Sequence, residues 1–540
     1  MKNPIDSLVS YIDPSRGLKR VEARTRLAMA DGFMGESTGY LTAGAQKRSL
    51  RGWFTNLLSP DSDVLPKAKS ARASSRDLYM NTPLANAILK RIDTNTIGHG
   101  LTLQSRIERE GLGLSDDAAD AWERNTETLF RIYASSKNCD ISRQLNFFQM
   151  QSLAFMSPLM SGDVFFMLPW KGVKDWPFEL RIKLIESDLC SNPNDTMDNG
   201  ALAGGIEVDE DGAPIRYYFC NRFPLQNDII DFRPRKWSPI DAYDAVSGRQ
   251  NVYHIFEKTR PGQRRGMPFL APVFEVLKQT SRLTEAKLMQ NLIQTFFTVF
   301  VKDSKGPVNL QPNFGAQTSV LNESEPDVEN QYELGNANIV ELDDSKDISI
   351  ADPHRTDTAF EPFFAAMVKM LAAACEIPYE QLLLHFSASY SASRAALLEA
   401  WKFYRKKRVT FAFDFNQPVY EAWLFEMVYK GIIKAPGFLE DPITRAFWCK
   451  AKWGGSGQGQ IDPAKETAAA VAKITNNLSN HEDEFTLIYG GDWEATFARK
   501  VREDKIIRAN GQVPPDNLLA AAQAQQTSTN PPSDSGDEAP

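Results

Sequence analysis

Residues 272–300 read PVFEVLKQTSRLTEAKLMQNLIQTFFTVF, and this stretch decides the fold class. Val273, Phe274 and Leu277, then Leu288, Leu292, Ile293, Phe296, Phe297 and Phe300, recur at helical spacing, which predicts one helix about 40 Å long. Residues 303–350 have no helical period and are broken at Pro307, Pro312 and Pro326. They carry ten acids, Glu323, Glu325, Asp327 and Glu329 among them, against Lys305 and Lys346, a net charge of -8. The helical period returns over residues 358–375, where Phe360, Phe363, Phe364, Met367, Met370 and Leu371 are available to pack. Pro362 is tolerable there because it lies in the first turn. The expected unit is a pair of long helices with an acidic, irregular module inserted between them.

Upstream, residues 1–67 are polar and interrupted, with one helix expected over 18–29 that carries Lys19, Arg20, Arg24 and Arg26. They read as an arm that packs on something else. Asn81, Thr82 and Pro83 open a helix through Ile97 whose buried stripe is Leu84, Ile88, Ile92 and Ile97. Gly98 and Gly100 end it, and a strand begins at Leu101. Between residues 147 and 218 the pattern changes to short strands over 164–168, 180–185, 205–208 and 215–219. The last two are joined by Asp209, Glu210, Asp211 and Gly212, a hairpin turn that imitates the start of a calcium loop. Tyr218 falls where such a loop needs a bidentate carboxylate, so the hairpin is the better reading.

Downstream, Pro378 stops the second long helix, and a polar hinge runs from His385 through Phe386, Ser387, Ala388, Ser389 and Tyr390 to Ser391. A further helix is expected over 393–430, with Leu397, Leu398, Trp401, Phe411, Phe415 and Trp423 on it and a kink at Pro418. Its basic run, Arg405 to Arg408, reads as a solvated or intersubunit face. Asp462 and Pro463 open a helix over 464–474. The Pro-, Gln- and Ser-rich residues 511–540 are expected to be disordered. No internal repeat is present.

Composition sets outer bounds. The 540 residues are 42% apolar, 11% aromatic and 24% charged, which excludes full disorder, collagen and a small disulfide scaffold. Five cysteines, Cys139, Cys190, Cys220, Cys375 and Cys449, stand alone and read as buried free thiols. The longest uncharged run, 144–162, is diluted by polar residues, and the most apolar, 288–301, is too short to span a bilayer. Asp6 and Asp13 stand where a secretory signal needs an apolar block, so use in a cytoplasm is expected. With 61 Lys+Arg against 69 Asp+Glu, the net charge is -8. Tight DNA binding would need a basic excess for phosphate neutralisation, and only loose contact fits this balance.

Catalytic motifs are missing. There is no GxxxxGK[ST] phosphate loop. Gly454, Gly455, Gly457 and Gly459 fail the dinucleotide spacing and read as a flexible connection, and Gln458 stands where a hydrolase elbow around Ser456 needs glycine. His99, His254, His354, His385 and His481 are scattered and read as structural or surface residues rather than metal ligands. The expectation is a protein without enzymatic activity, metal or cofactor; the alternative is a metal-dependent nuclease or other DNA-processing enzyme.

Several segments, in order, resemble the lambda-type portal protein family of tailed bacteriophages. They are Tyr11 to Pro14; Ser75 to Ala85 leading into Gly98 to Leu103; Arg260 to Pro272, with Gly262, Gln263, Arg265 and Gly266; Ile377 to Leu382 with Tyr390, Ser391 and Ser393 to Glu399; and Gln460 to Pro463 with Lys465 and Glu466. The resemblance implies an α+β subunit with a mixed α/β wing, long stem helices, a small clip insertion and a helical crown, assembling into a dodecameric ring. Double-stranded DNA would be packaged and ejected through that ring at one capsid vertex. The implied partners are the terminase large subunit, a head-tail adaptor protein, the major capsid protein and the DNA in the channel, with no membrane. The implied location is the virion, and the host cytoplasm during assembly.

On that scheme the parts are an arm (1–67), wing (68–266), stem helix (267–302), clip (303–353), stem helix (354–380), tunnel loop (381–392), kinked helix and wing return (393–460), crown (461–510) and tail (511–540). His385, Phe386, Ser387, Ser389, Tyr390 and Ser391 are expected to line the channel. Glu323, Glu325, Asp327 and Glu329 are expected to dock terminase and adaptor, and Leu288, Leu292 and Phe296 to form the subunit seam.

Overall fold

Two helices meet at Thr82, where the sequence indicates only one starting. α1 (Pro60–Asn81) runs up to Thr82, whose extended backbone turns the chain, and α2 (Pro83–Thr96) opens with Pro83 in its first turn. A residue before proline is driven out of the helical region, and the missing N–H costs nothing at a helix start. α1 crosses the boundary expected at residues 67 and 68. Its buried apolar side is only Val64, Ala68, Ala71 and Leu78, too small to stand out as a stripe. On α2, Ile88, Leu89 and Ile92 are fully buried and Leu84 half-buried.

The computed structural model describes residues 57–224, 234–295, 299–303, 346–350, 360–386, 389–460 and 462–512. The helix expected over 18–29, most of the acidic module and the tail beyond residue 512 lie outside these. After α2 come β1 (Thr102–Ser105), α3 (Asp116–Ser135), α4 (Phe147–Ser161), β2 (Asp163–Met167), β3 (Lys183–Glu186), β4 (Leu202–Ala203), β5 (Ile206–Val208), β6 (Pro214–Cys220), β7 (Trp237–Asp241) and β8 (Tyr253–Phe256). α5 (Phe274–Thr295), β9 (Val299–Asp303), β10 (Lys346–Ile350) and α6 (Phe360–Ala374) follow, then α7 (Tyr379–Leu383), α8 (Tyr390–Phe411) and α9 (Gln417–Tyr429). Last are α10 (Pro442–Trp448), β11 (Ala451–Gly454), α11 (Pro463–Thr475), α12 (His481–Ile488) and α13 (Trp493–Ala509).

β2 is the centre of an antiparallel sheet ordered β3-β2-β8, beside a meander ordered β4-β5-β6-β7. Alternation along β2 serves two cores: Val164 and Phe166 face the main core, while Phe165 packs with Ile185, Tyr217, Phe219 and Val252. The main core centres on aromatic rings. Phe130 meets Trp423 edge-on at 5.1 Å and Tyr420 at 5.7 Å, and Phe147 stacks on Phe415 at 5.9 Å. Burying each such side chain stabilises the fold by about 1.5–3 kcal/mol. β1 pairs with β11 on one side; α3 closes the other side by accepting the Ser105 N–H at Glu127 (2.8 Å) and the Ile107 N–H at Glu123 (2.9 Å).

Several boundaries depart from the sequence reading. Residues 147–161, ahead of the first expected strand, form helix α4, which Asn146 and Gln149 open with a reciprocal capping box. The strand expected from Leu180 begins at Lys183. The long helix ends at Thr295, not Phe300, since residues 299–303 pair antiparallel with 346–350. The helix expected over 393–430 is three pieces, α8, a π turn (Ala412–Asn416) and α9. Pro418 has no N–H for the Asp414 carbonyl and its ring crowds that oxygen, so the widened turn falls just before it. The glycine-rich 454–459 stretch is packed, not a loose connection. Trp453 lies in β11, Ser456 bridges Gly490, and a Cβ on Gly457 would meet the Ile488 carbonyl at 2.4 Å.

Candidate functional site

α5 and α6 pack on each other as a hairpin, with Lys287 Nζ 5.6 Å above the Phe360 ring. β9 continues α5 and β10 leads back into α6, pairing Val299 with Ile350 and Asp303 with Lys346. At the base, Val273, Leu277, Val368 and Leu371 are buried. Farther along, Leu288 is 70% exposed, Leu292 53% and Phe363 56%, and Met370 is 53% exposed on the other side of α6 near the base. Phe296, and the acids Glu323, Glu325, Asp327 and Glu329, lie outside the described residues.

The hinge is shorter than the sequence suggests. Leu384 closes α7 in the left-handed region (φ 54°), with the His385 N–H donating to the Glu380 carbonyl. His385 and Phe386 follow, both exposed, and Ser389 caps α8 by accepting the Ala392 N–H. Tyr390 and Ser391 therefore belong to the first turn of α8 rather than to a loop, and Ser387 lies outside the described residues. The Tyr404 hydroxyl donates to Gln381 at 2.8 Å and ties α8 back to α7. The basic run farther along α8 is only partly solvated. Arg408 donates to the Asn95 and Thr96 carbonyls at the end of α2, and burial lowers its guanidinium to about 10.

Some of the residues quoted for the resemblance lie at two junctions among the described residues. At the first, Arg265 donates to Asp163 at 2.5 and 3.1 Å, and to the carbonyls of Ser187, Cys190 and Gly204. Ser187 Oγ, His254 Nε2 and the Gly266 N–H also reach the carboxylate. Burial alone would raise the Asp163 carboxyl, but Arg265 and His254 hold it well below the usual range. Gly162 and Gly266 touch backbone to backbone, and a Cβ on Gly266 would fall 1.9 Å from the Gly162 oxygen. Arg264 and Arg260 pair with Asp61 and Asp63, and Arg72 and Arg76 with Asp188, fixing α1 to the sheet. At the second junction, Arg394 on α8 pairs with Glu466 on α11 at 2.9 Å. The sequence showed Arg265 and Gly266; Asp163 and His254 carried no signal, since one acid and one histidine in short strands look like any others.

Among the described residues no three His, Cys, Asp or Glu side chains gather as a metal site, and no helix is long and apolar enough to cross a membrane. All five cysteines are free and buried. Burial pushes the thiols of Cys139 and Cys375 to about 12 and Cys190 to about 11, far from the thiolate a nucleophile needs.

The described residues thus hold a buried ionic junction, a helical hairpin with exposed apolar side chains and a short exposed hinge, the build of a structural subunit. The family described as "Phage portal protein, lambda family" matches residues 46–408, and the chain belongs to that family. It is 26% identical over 515 residues to portal protein B of Escherichia phage lambda, covering 93% of this chain and 94% of the relative. It is 25% identical over 518 residues to the portal protein of Escherichia phage N15, covering 93% and 95%. Among solved structures, a chain of the virion of the native gene transfer agent particle aligns over 78% of this chain and 92% of its own, at 12% identity and TM-score 0.42. A chain from the neck of the empty particle aligns over 71% and 93%, at 13% identity and TM-score 0.41. The nuclease alternative finds no support in these relatives.

Proposed function

We propose that copies of this portal protein close into a ring, dodecameric on the family's pattern, at one capsid vertex, and that double-stranded DNA is packaged and ejected through it. The observation that carries this reading is the α5–α6 hairpin, whose outer half leaves Leu288, Leu292 and Phe363 uncovered in the single chain. Apolar side chains in such a row are stable in water only when a neighbour covers them. Because the contact is heterologous, repetition generates a ring or an open filament, and a vertex requires the ring.

Within that reading, α5 and α6 are the stem, residues 303–353 the clip, residues 384–389 the loop at the channel's narrowest part, and α11 to α13 the crown. Phe386 and His385 would touch passing DNA without a fixed positive charge, which suits sliding rather than grip. Glu323, Glu325, Asp327 and Glu329 would present a negative surface to the terminase during packaging and to a head-tail adaptor afterwards, and the wing would face the major capsid protein. The role is structural rather than catalytic. Native mass measurement at high protein concentration tests the assembly: a closed oligomer of fixed number is expected, and a monomer at every concentration would overturn the reading.

A further inference from the structure

The three helices α11 to α13 have almost no core. Across residues 463–509, Ala470 is the only buried apolar side chain and Glu484 the only buried polar one. Val471 (56%), Leu478 (78%), Tyr489 (62%), Phe497 (51%) and Ile506 (62%) are exposed, and α13 has no buried residue in its 17. A helix of that length is marginal in water without tertiary cover. The segment is held to the rest of its own chain chiefly by polar contacts. Arg106 pairs with Glu482 at 3.0 Å and Glu494 at 3.6 Å, Lys452 with Glu482 and Asp483, and Gln104 donates to the Gly491 carbonyl at 3.1 Å.

Its charges are also sorted along the chain. Residues 482–494 hold Glu482, Asp483, Glu484, Asp492 and Glu494 and no lysine or arginine. Residues 499–508 hold Arg499, Lys500, Arg502, Lys505 and Arg508 against Glu503 and Asp504. The two ends of α13 stand about 25 Å apart at 1.5 Å per residue. Arg499 stands only five residues from Glu494, but Arg508 lies about 21 Å from it along the helix, farther than the two side chains reach, and a neighbour in head-to-tail order can bring that basic end to an acidic one.

We propose that residues 463–509 are an interaction surface for the same segment of a second copy of this chain. The basic C-terminal half of α13 sits against the acidic end of the neighbour at Asp483, Asp492 and Glu494, and the contact covers Tyr489, Phe497 and Ile506. This rests on the ring reading, because a heterologous contact repeated around an axis is what a ring supplies. Opposite charge sets the direction and register of the contact; the apolar side chains supply the burial.

Hydrogen exchange on the full chain, compared between ring and dissociated subunit, tests it. Amides of α13 should slow by about tenfold or more on assembly. Unchanged exchange of α13 in an intact ring would overturn this inference and leave the ring standing; a chain that never assembles overturns both. As a second measurement, the triple variant Arg499→Glu, Arg502→Glu, Lys505→Glu should still form rings through its stem but lose the added protection of α13. Full protection in that variant would contradict the charge-guided contact.

Discussion

Asp163 and Arg265 show how one side chain can hold several elements together. Asp163 begins β2, and Arg265 reaches it from the connection before α5 while also binding three carbonyls. Removing one partner leaves the other charge buried and unpaired. Asp163→Asn should therefore cost about 3–5 kcal/mol, against about 0–1 kcal/mol for loss of the exposed Arg260 pair with Asp63, as read by denaturant unfolding. His254 adds a pH dependence: burial lowers its value in the folded chain, so its contribution is present above the ordinary 6.5 and lost as pH falls. Glu127 has the opposite sign. Burial raises its carboxyl from 4.5 to about 7, so its contribution is full below 4.5 and lost as pH rises through 7. Glu127→Gln, which keeps an acceptor for the Ser105 N–H, should gain on the order of 1–2 kcal/mol relative to the parent at pH 8 and nothing at pH 4. Melting temperatures at the two pH values check this, and an equal effect at both would refute it. In the sequence, Arg265 and Gly266 were visible as a motif; their partners were not, because the contacts span about a hundred residues and leave no local pattern.

Helices with periodic apolar faces were legible at the level of elements, and their ends were not. Residues 299 and 300 fit both a helical and an extended pattern, and only the pairing of 299–303 with 346–350 decides the matter. Pro418 announced an irregularity in the helix, yet the π turn before it depends on which carbonyl loses its donor. The hinge was legible in composition but overestimated in length, since Ser389 is a cap and a cap reads like a loop residue. Replacing residues 385–388 alone with a Gly-Ser segment should leave ring assembly unchanged and reduce the DNA retained in heads, measured as packaged length per particle. Full-length retention would make these residues a plain connector. The attachment of α12 and α13 is partly ionic, beside backbone hydrogen bonds from Gln458 and Gly459, and its ionic part should respond to salt as surface pairs do. Arg106→Ala should speed proteolysis near residues 459–462, and raising salt should do the same to the parent; salt-independent cleavage in both would argue that the polar contacts do not hold the segment.

For the whole molecule, the order of elements was legible among the described residues: the short strands, the long helix α5, the second helix α6, and then the broken α8–α9 helix and a last helical group follow the sequence pattern. The missing information concerns surfaces. Periodicity alone does not separate core from seam for a row such as Leu288 and Leu292; the family resemblance is what marked it as a seam, and in the fold of the single chain both side chains are exposed. The same row is the physical reason to expect many copies. Electron-microscope class averages of the purified full chain test this most directly. A closed ring with a central channel wide enough for duplex DNA, about 20 Å by the dimensions of the double helix, is the predicted result. Compact single particles, or filaments that never close, would contradict it.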